Sequence, residues 1–162
     1  RGRFPALRER GLADEDSCHE PAARTARTET KGRSIMKALV VDDSRSMRAI
    51  LSKQLRELGF TVVEAPGGTE ALRALDRDGP FDLVLLDWNM PEMDGHEVLT
   101  LIRSQEAYQS VRVMMVTTES EMSQVSVTLE AGANEYLMKP FDREALVEKL
   151  VLLGLDPSGR TL

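Results

Sequence analysis

From Met36 onward the chain switches between short unbroken apolar runs and longer stretches whose apolar residues recur every three or four positions. Ala38-Leu39-Val40-Val41 is one such run, the signature of a strand buried on both faces. Met47, Ile50, Leu51, Leu55 and Leu58 then mark one face of a helix that Gly59 closes. Thr61-Val62-Val63 predicts a second strand, and Ala71, Leu72 and Leu75 a helix ending near Asp78-Gly79-Pro80. Leu83-Val84-Leu85-Leu86 predicts the third strand, and Val98, Leu99 and Ile102 the third helix. The run from Val111 to Val116 predicts the fourth strand. Met122, Val125 and Leu129 predict a weaker helix, stopped by Gly132. Tyr136-Leu137-Met138 predicts the fifth strand, and Asp142 is placed to cap a last helix through Leu146, Leu150 and Leu153.

Five strands alternating with five helices imply an α/β fold, a parallel sheet with helices on both faces. Right-handed crossovers make the doubly wound open sheet its natural topology. Such sheets carry their sites beyond the carboxyl ends of the strands. The residues just after each apolar run are therefore the candidates for chemistry.

Those residues form a set. Asp42 and Asp43 follow the first run, Asp87 the third, Thr117 and Thr118 the fourth, and Lys139 the fifth. Three carboxylates on one sheet edge raise one another's pKa values unless a cation joins them. Two or three carboxylates with room for water suit Mg²⁺ better than a Ca²⁺ cage. A carboxylate beside such a cation is a competent nucleophile toward phosphorus, giving an aspartyl phosphate. Lys139 and the Thr117 hydroxyl are placed to bind the phosphoryl oxygens. Any one of these residues alone reads more simply as a strand or helix cap, and Asp43 or Ser44 fits that role for the first helix. The whole set at the matching strand ends does not reduce to capping.

Two other chemistries share part of this pattern. A flavodoxin-type cofactor module needs a small, uncharged loop after the first strand to hold phosphate, whereas Asp42-Asp43-Ser44-Arg45-Ser46 repels it. No glycine-rich dinucleotide fingerprint is present either. A haloacid-dehalogenase-like phosphatase carries Asp-x-Asp after its first strand and adds a cap domain. Here the two aspartates are adjacent, and 162 residues leave little room for a cap.

Charge narrows the partners. The chain holds 21 basic and 27 acidic side chains, a net of −6. Residues 1–35 contain eight of the basic and six of the acidic groups, leaving 13 and 21, a net of −8, for residues 36–162. An acidic domain argues against a nucleic-acid partner, which requires a basic face. The single cysteine, Cys18, excludes a disulfide framework and suits a reducing compartment. No apolar run approaches the ~18 residues a membrane span needs, so a soluble, cytoplasmic protein is expected. Residues 1–35 hold few bulky apolar side chains and are expected to be a disordered extension. Their abrupt change to the domain pattern makes Met36 the expected natural start. Cys18-His19 is a poor metal site, being two adjacent ligands in such a segment.

Four motifs carry a resemblance to a known family. They are Val41-Asp42-Asp43-Ser44, the stretch Leu86-Asp87-Trp88-Asn89-Met90-Pro91-Glu92-Met93-Asp94-Gly95, Val116-Thr117, and the stretch from Ala131 to Phe141 with Tyr136 and Lys139-Pro140. Residues 36–153 resemble the receiver domains of two-component response regulators, and Asp-Trp-Asn-Met-Pro resembles the chemotaxis regulators among them. The resemblance implies a flavodoxin-like sheet of strand order 2-1-3-4-5, a receiver domain over residues 36–155 and a short tail over 156–162. It implies that Asp87 accepts a phosphoryl group from a histidine kinase. Asp43, Asp87 and the Asn89 carbonyl would bind Mg²⁺, with Asp42 acting largely through water. Lys139 would contact the phosphoryl group, Thr117 would move toward it, and Tyr136 would turn inward behind Thr117. Asn89 and Glu119 would tune dephosphorylation, and Lys139–Pro140 would be cis. The implied protein is no metabolic enzyme, since it catalyses only its own phosphorylation and dephosphorylation.

Too few residues follow the last helix for an output domain, so a stand-alone receiver that signals by protein binding is expected. The expected partners are a histidine kinase, a downstream protein such as a flagellar motor switch component, and a phosphatase. A phosphorelay intermediate or phosphate sink is the alternative. Trp88 is expected to be a semi-buried lid, His96 solvent-facing, and Met114-Met115 core filling.

Overall fold

The structure, a computed structural model, describes residues 34–157. The expectations for residues 1–33, including Cys18 and His19, and for residues 158–162 lie outside the described residues. Five strands form one sheet: β1 (Lys37–Val41), β2 (Thr61–Ala65), β3 (Leu83–Asp87), β4 (Arg112–Thr117) and β5 (Glu135–Met138). Their order is β2-β1-β3-β4-β5, and every neighbouring pair is parallel. The helices are α1 (Arg45–Glu57), α2 (Gly68–Asp78), α3 (Gly95–Ser104), α4 (Val125–Glu130) and α5 (Arg143–Leu152). This is the doubly wound topology that the alternation of periods predicts.

The apolar runs are unbroken because both faces of the sheet are covered. Successive side chains of a strand point to opposite faces. Leu39, Val41, Val84, Leu86, Val113 and Met115 therefore pack on one side with Leu75 of α2 and Val98, Leu99 and Ile102 of α3. Ala38, Val40, Leu83, Leu85, Met114 and Val116 pack on the other with Leu51 and Leu55 of α1 and Leu146 and Leu150 of α5. Met114 and Met115 are both core, one in each layer.

Helix starts are held by side chains. Ser44 accepts from the Met47 N–H, Asp142 from the Ala145 N–H, and Asp94 forms a reciprocal capping box with Glu97. The start of α3 matters most, because it abuts the end of β3. A Cβ on Gly95 would lie 2.3 Å from the Asp87 carbonyl oxygen, so only glycine permits this approach.

Two sequence expectations are corrected. The stripe of Met122, Val125 and Leu129 does not line a buried helix face. Residues Glu119–Gln124 form a 3₁₀ turn, and the helix proper begins at Val125. A 3₁₀ turn winds about 120° per residue against about 100° in an α-helix, so six residues move the stripe out of phase by about 120°. Thr128 is the buried residue of α4, while Val127 and Leu129 are exposed. In α1, Ile50 is likewise exposed, at the edge of the face that Leu51 and Leu55 bury. Among the described residues no helix is long and apolar enough to cross a membrane.

Candidate functional site

The carboxyl edge of the sheet brings five of the expected residues together. Asp42 directly follows β1, Asp87 ends β3, Thr117 ends β4 and Lys139 directly follows β5. Asp42, Asp87 and Thr117 are buried, whereas Asp43 is exposed. One oxygen from each of Asp42, Asp43 and Asp87 lies within 4.8 Å of the other two. The Lys139 ammonium donates to Asp87 Oδ1 at 2.9 Å and to Asp42 Oδ2 at 3.1 Å. The Lys139 N–H donates to the Thr117 carbonyl at 2.7 Å, which fixes the lysine backbone against β4. The Lys139–Pro140 bond is cis, as the resemblance implies. The Gly79–Pro80 bond is cis as well, which the sequence reading did not include.

Asp42 is tied at both carboxylate oxygens. Oδ1 accepts from the Ser44 N–H at 2.8 Å, and Oδ2 accepts from Lys139. The sequence reading did not place Lys139 on Asp42, and the ion pair joins the two directly. Asp87 is tied at Oδ1 alone, and Oδ2 has no hydrogen-bond partner among the described residues. Burial pushes the Asp87 carboxyl up to about 6; the hydrogen bond from Lys139 opposes this, and the charges of Asp42 and Asp43 reinforce it. Burial lowers Lys139, but hydrogen bonds and charge from Asp87 and Asp42 outweigh it and leave the ammonium above its ordinary value.

Three carboxylates face one ammonium here. Arg48, whose guanidinium donates to the Asp42 carbonyl at 2.7 Å, is itself 3.8 Å from Glu64. The site is therefore short of positive charge and presents hard oxygen donors, one of them exposed. Those are the requirements of a partly hydrated Mg²⁺ ion. The donor set fits the metal that the sequence suggests.

The other expected residues lie around this centre. Asn89 and Glu119 are exposed, in the loop after β3 and at the start of the 3₁₀ turn. Tyr136 is half-buried on β5. The Lys149 ammonium of α5 lies 4.5 Å from its ring centroid and donates to Glu135 at 2.9 Å. Trp88 is half-buried and packs against the core, as expected of a lid. His96, expected to face solvent, is half-buried, with its ring centroid 6.0 Å from that of Trp88.

Glu121 is the residue that sequence reasoning missed. Its Oε2 accepts from the Thr117 hydroxyl at 3.1 Å and from the Thr118 N–H at 2.8 Å. The spacing Thr118-x-x-Glu121 is a capping-box pattern, and it was the available signal. A separate cavity of about 250 Å³, lined by Leu75, Phe81, Tyr108 and Val111 among others, contains none of the site residues.

The geometry matches known proteins. Residues 38–151 match the family model of the response regulator receiver domain. The chemotaxis protein CheY1 of Helicobacter pylori is 43% identical over 121 residues, which are 74% of this chain and 98% of that protein. The chemotaxis protein CheY of Pseudomonas aeruginosa is 44% identical over 71% of this chain and 93% of its own length. Among solved structures, Vibrio cholerae CheY4 superposes with a TM-score of 0.68 at 36% identity, covering 74% of this chain and 98% of that one. The receiver domain of a sensor histidine kinase from Pseudomonas aeruginosa superposes with a TM-score of 0.67 at 30% identity, over 74% of this chain and 98% of its own, and it carries a magnesium ion in its active-site cleft.

Proposed function

The chain belongs to the response regulator receiver family, and from that premise we propose that it is a phosphorylation-activated regulator of chemotaxis type, with Asp87 as its phosphoryl acceptor. Residues 36–155 are the receiver unit in this reading. The observation that carries it is the placement of Asp87, whose Oδ1 is held by Lys139 at 2.9 Å while Oδ2 stays uncommitted next to Asp42 and Asp43. Burial raises the Asp87 carboxyl in the metal-free site, and a bound Mg²⁺ would favour its ionised, nucleophilic form.

In the proposed reaction an ionised oxygen of Asp87 attacks phosphorus, and the bond from phosphorus to the donor, a histidine nitrogen of the kinase, breaks. Asp42, Asp43 and Asp87, with the Asn89 backbone carbonyl, would hold Mg²⁺, which supplies charge neutralisation for the transferring group. Lys139 stays bound at the carboxylate and receives a phosphoryl oxygen as charge moves outward. The Thr117 hydroxyl donates to another, and Tyr136 follows it inward. Asn89 and Glu119 orient the water that later hydrolyses the acyl phosphate.

The output is binding. Phosphorylation shifts an existing equilibrium, and the face formed by α4, β5 and α5 changes affinity for a protein such as a flagellar motor switch component. A histidine kinase and a phosphatase complete the partners, in the cytoplasm. A phosphorelay or phosphate-sink role uses the same chemistry and differs in lacking phosphorylation-dependent binding to a switch protein.

The test is phosphorylation by acetyl phosphate in Mg²⁺. Wild type gains base-labile, acid-stable phosphate and its Trp88 fluorescence responds first to Mg²⁺, then to the donor. Asp87→Asn incorporates none. Labelling retained in Asp87→Asn moves the acceptor elsewhere.

A further inference from the structure

Thr117 is 2% exposed, so its hydroxyl requires an acceptor inside the protein. The Thr118 carbonyl at 3.3 Å offers a local, neutral one, and the Glu121 carboxylate at 3.1 Å is closer and charged. A threonine hydroxyl carries one hydrogen. While it points at Glu121 it donates to nothing else, and a phosphoryl oxygen on Asp87 receives it only when the bond to Glu121 breaks. We propose that Glu121 is a positioning residue that commits the Thr117 hydroxyl in the resting state and thereby sets how readily the site takes a phosphoryl group. This rests on the reading of Asp87 as the acceptor and of Thr117 as a phosphoryl ligand.

The exchange is feasible on both sides. Glu121 is half-buried and retains the Thr118 N–H at 2.8 Å after the hydroxyl leaves, so its carboxylate is never stranded. The hydroxyl passes from one anionic acceptor to another. Because the two states use the same donor, their balance depends on the difference between two charge-assisted bonds, and deleting one acceptor moves the balance directly. The carboxylate is placed by the local fold. The 3₁₀ turn Glu119–Gln124 begins right after β4 and brings residue 121 back over the strand end.

The experiment titrates beryllium fluoride, a phosphoryl mimic, into the whole 162-residue chain in saturating Mg²⁺ and follows Trp88 fluorescence. Variants are Glu121→Ala, Glu121→Gln, Thr117→Val and the double variant Thr117→Val/Glu121→Ala. Loss of a competing hydrogen bond to a charged group lowers the half-saturating concentration on the order of tenfold in Glu121→Ala. Glu121→Gln falls between, because its amide oxygen still accepts without charge. In the Thr117→Val background, removing Glu121 changes binding less than twofold. Mg²⁺ half-saturation without fluoride moves less than twofold in every Glu121 variant, which a general disturbance of the site would not allow. If Glu121→Ala fails to fold, the Gln variant carries the comparison. Equal binding by wild type and both Glu121 variants overturns the proposal. So does an equal gain in the Thr117→Val background, which assigns the effect to charge alone. A wild type that binds Mg²⁺ but not the mimic overturns the phosphoryl-acceptor reading and this proposal with it.

Discussion

Lys139 and Asp87, 52 residues apart in sequence, meet at 2.9 Å, and the same ammonium reaches Asp42 at 3.1 Å. One cation thus holds two buried carboxylates together at the ends of two adjacent strands. Removing it leaves both charges without compensation. Lys139→Met is expected to cost about 3 kcal/mol in metal-free protein at pH 7, read by urea denaturation. Mg²⁺ should restore much of that loss, because it supplies the missing positive charge. An unchanged midpoint would show that the pair contributes nothing to the fold.

The raised carboxyl of Asp87 has a defined consequence for stability. Its folded value of about 6 lies above the 3.8 of an unperturbed aspartate, so between those values the folded state keeps a proton that the unfolded chain has lost. Stability from this group is complete below about pH 4, falls as pH rises through about 6, and then levels. In EDTA, Asp87→Asn should therefore flatten that slope and stabilise the protein at pH 7 by about 2 kcal/mol. The check is a series of denaturation curves between pH 4 and 8. A variant less stable than wild type at pH 7 would contradict the assignment.

Gly95 links the start of α3 to Asp87, the proposed acceptor. A methyl group there meets the Asp87 carbonyl oxygen at 2.3 Å, and backbone rather than a flexible side chain must yield. Gly95→Ala is expected to cost about 2–3 kcal/mol. It should also slow phosphorylation from acetyl phosphate, because the shift displaces Asp87 itself. Thermal denaturation and the labelling rate measure the two effects separately.

Arg103 of α3 fastens the loop before β5. Its guanidinium donates to the Gly132, Tyr108 and Val111 carbonyls and to Asn134 Oδ1, at 2.8 to 3.0 Å. No lysine reproduces that fork. Arg103→Lys should cost about 2 kcal/mol and increase amide exchange in residues 131–136, while leaving Mg²⁺ binding unchanged. Exchange that is unaltered there would show that the loop is held by other contacts.

Much of the fold and of the site is readable from the order of residue types alone. Unbroken apolar runs follow from burial on both faces of a strand and a period of 3.6 from burial on one face of a helix, and burial is written residue by residue in hydrophobicity. The five strands, four of the helices and the convergence of Asp42, Asp43, Asp87, Thr117 and Lys139 on one edge were legible for that reason. Where periodicity is interrupted, legibility stopped. The 3₁₀ turn before α4 rotates the helix, and no single residue between Glu119 and Gln124 announces it. Tertiary structure alone decided which oxygen of which carboxylate Lys139 takes. It also decided that Asp42 pairs with Lys139 and that Glu121 holds the Thr117 hydroxyl. These are choices among acceptors whose distances from the donor differ by 0.2 Å, made by how the strand ends and the turn pack. A pattern of residue types places a side chain on an edge, and only packing in three dimensions selects its partner.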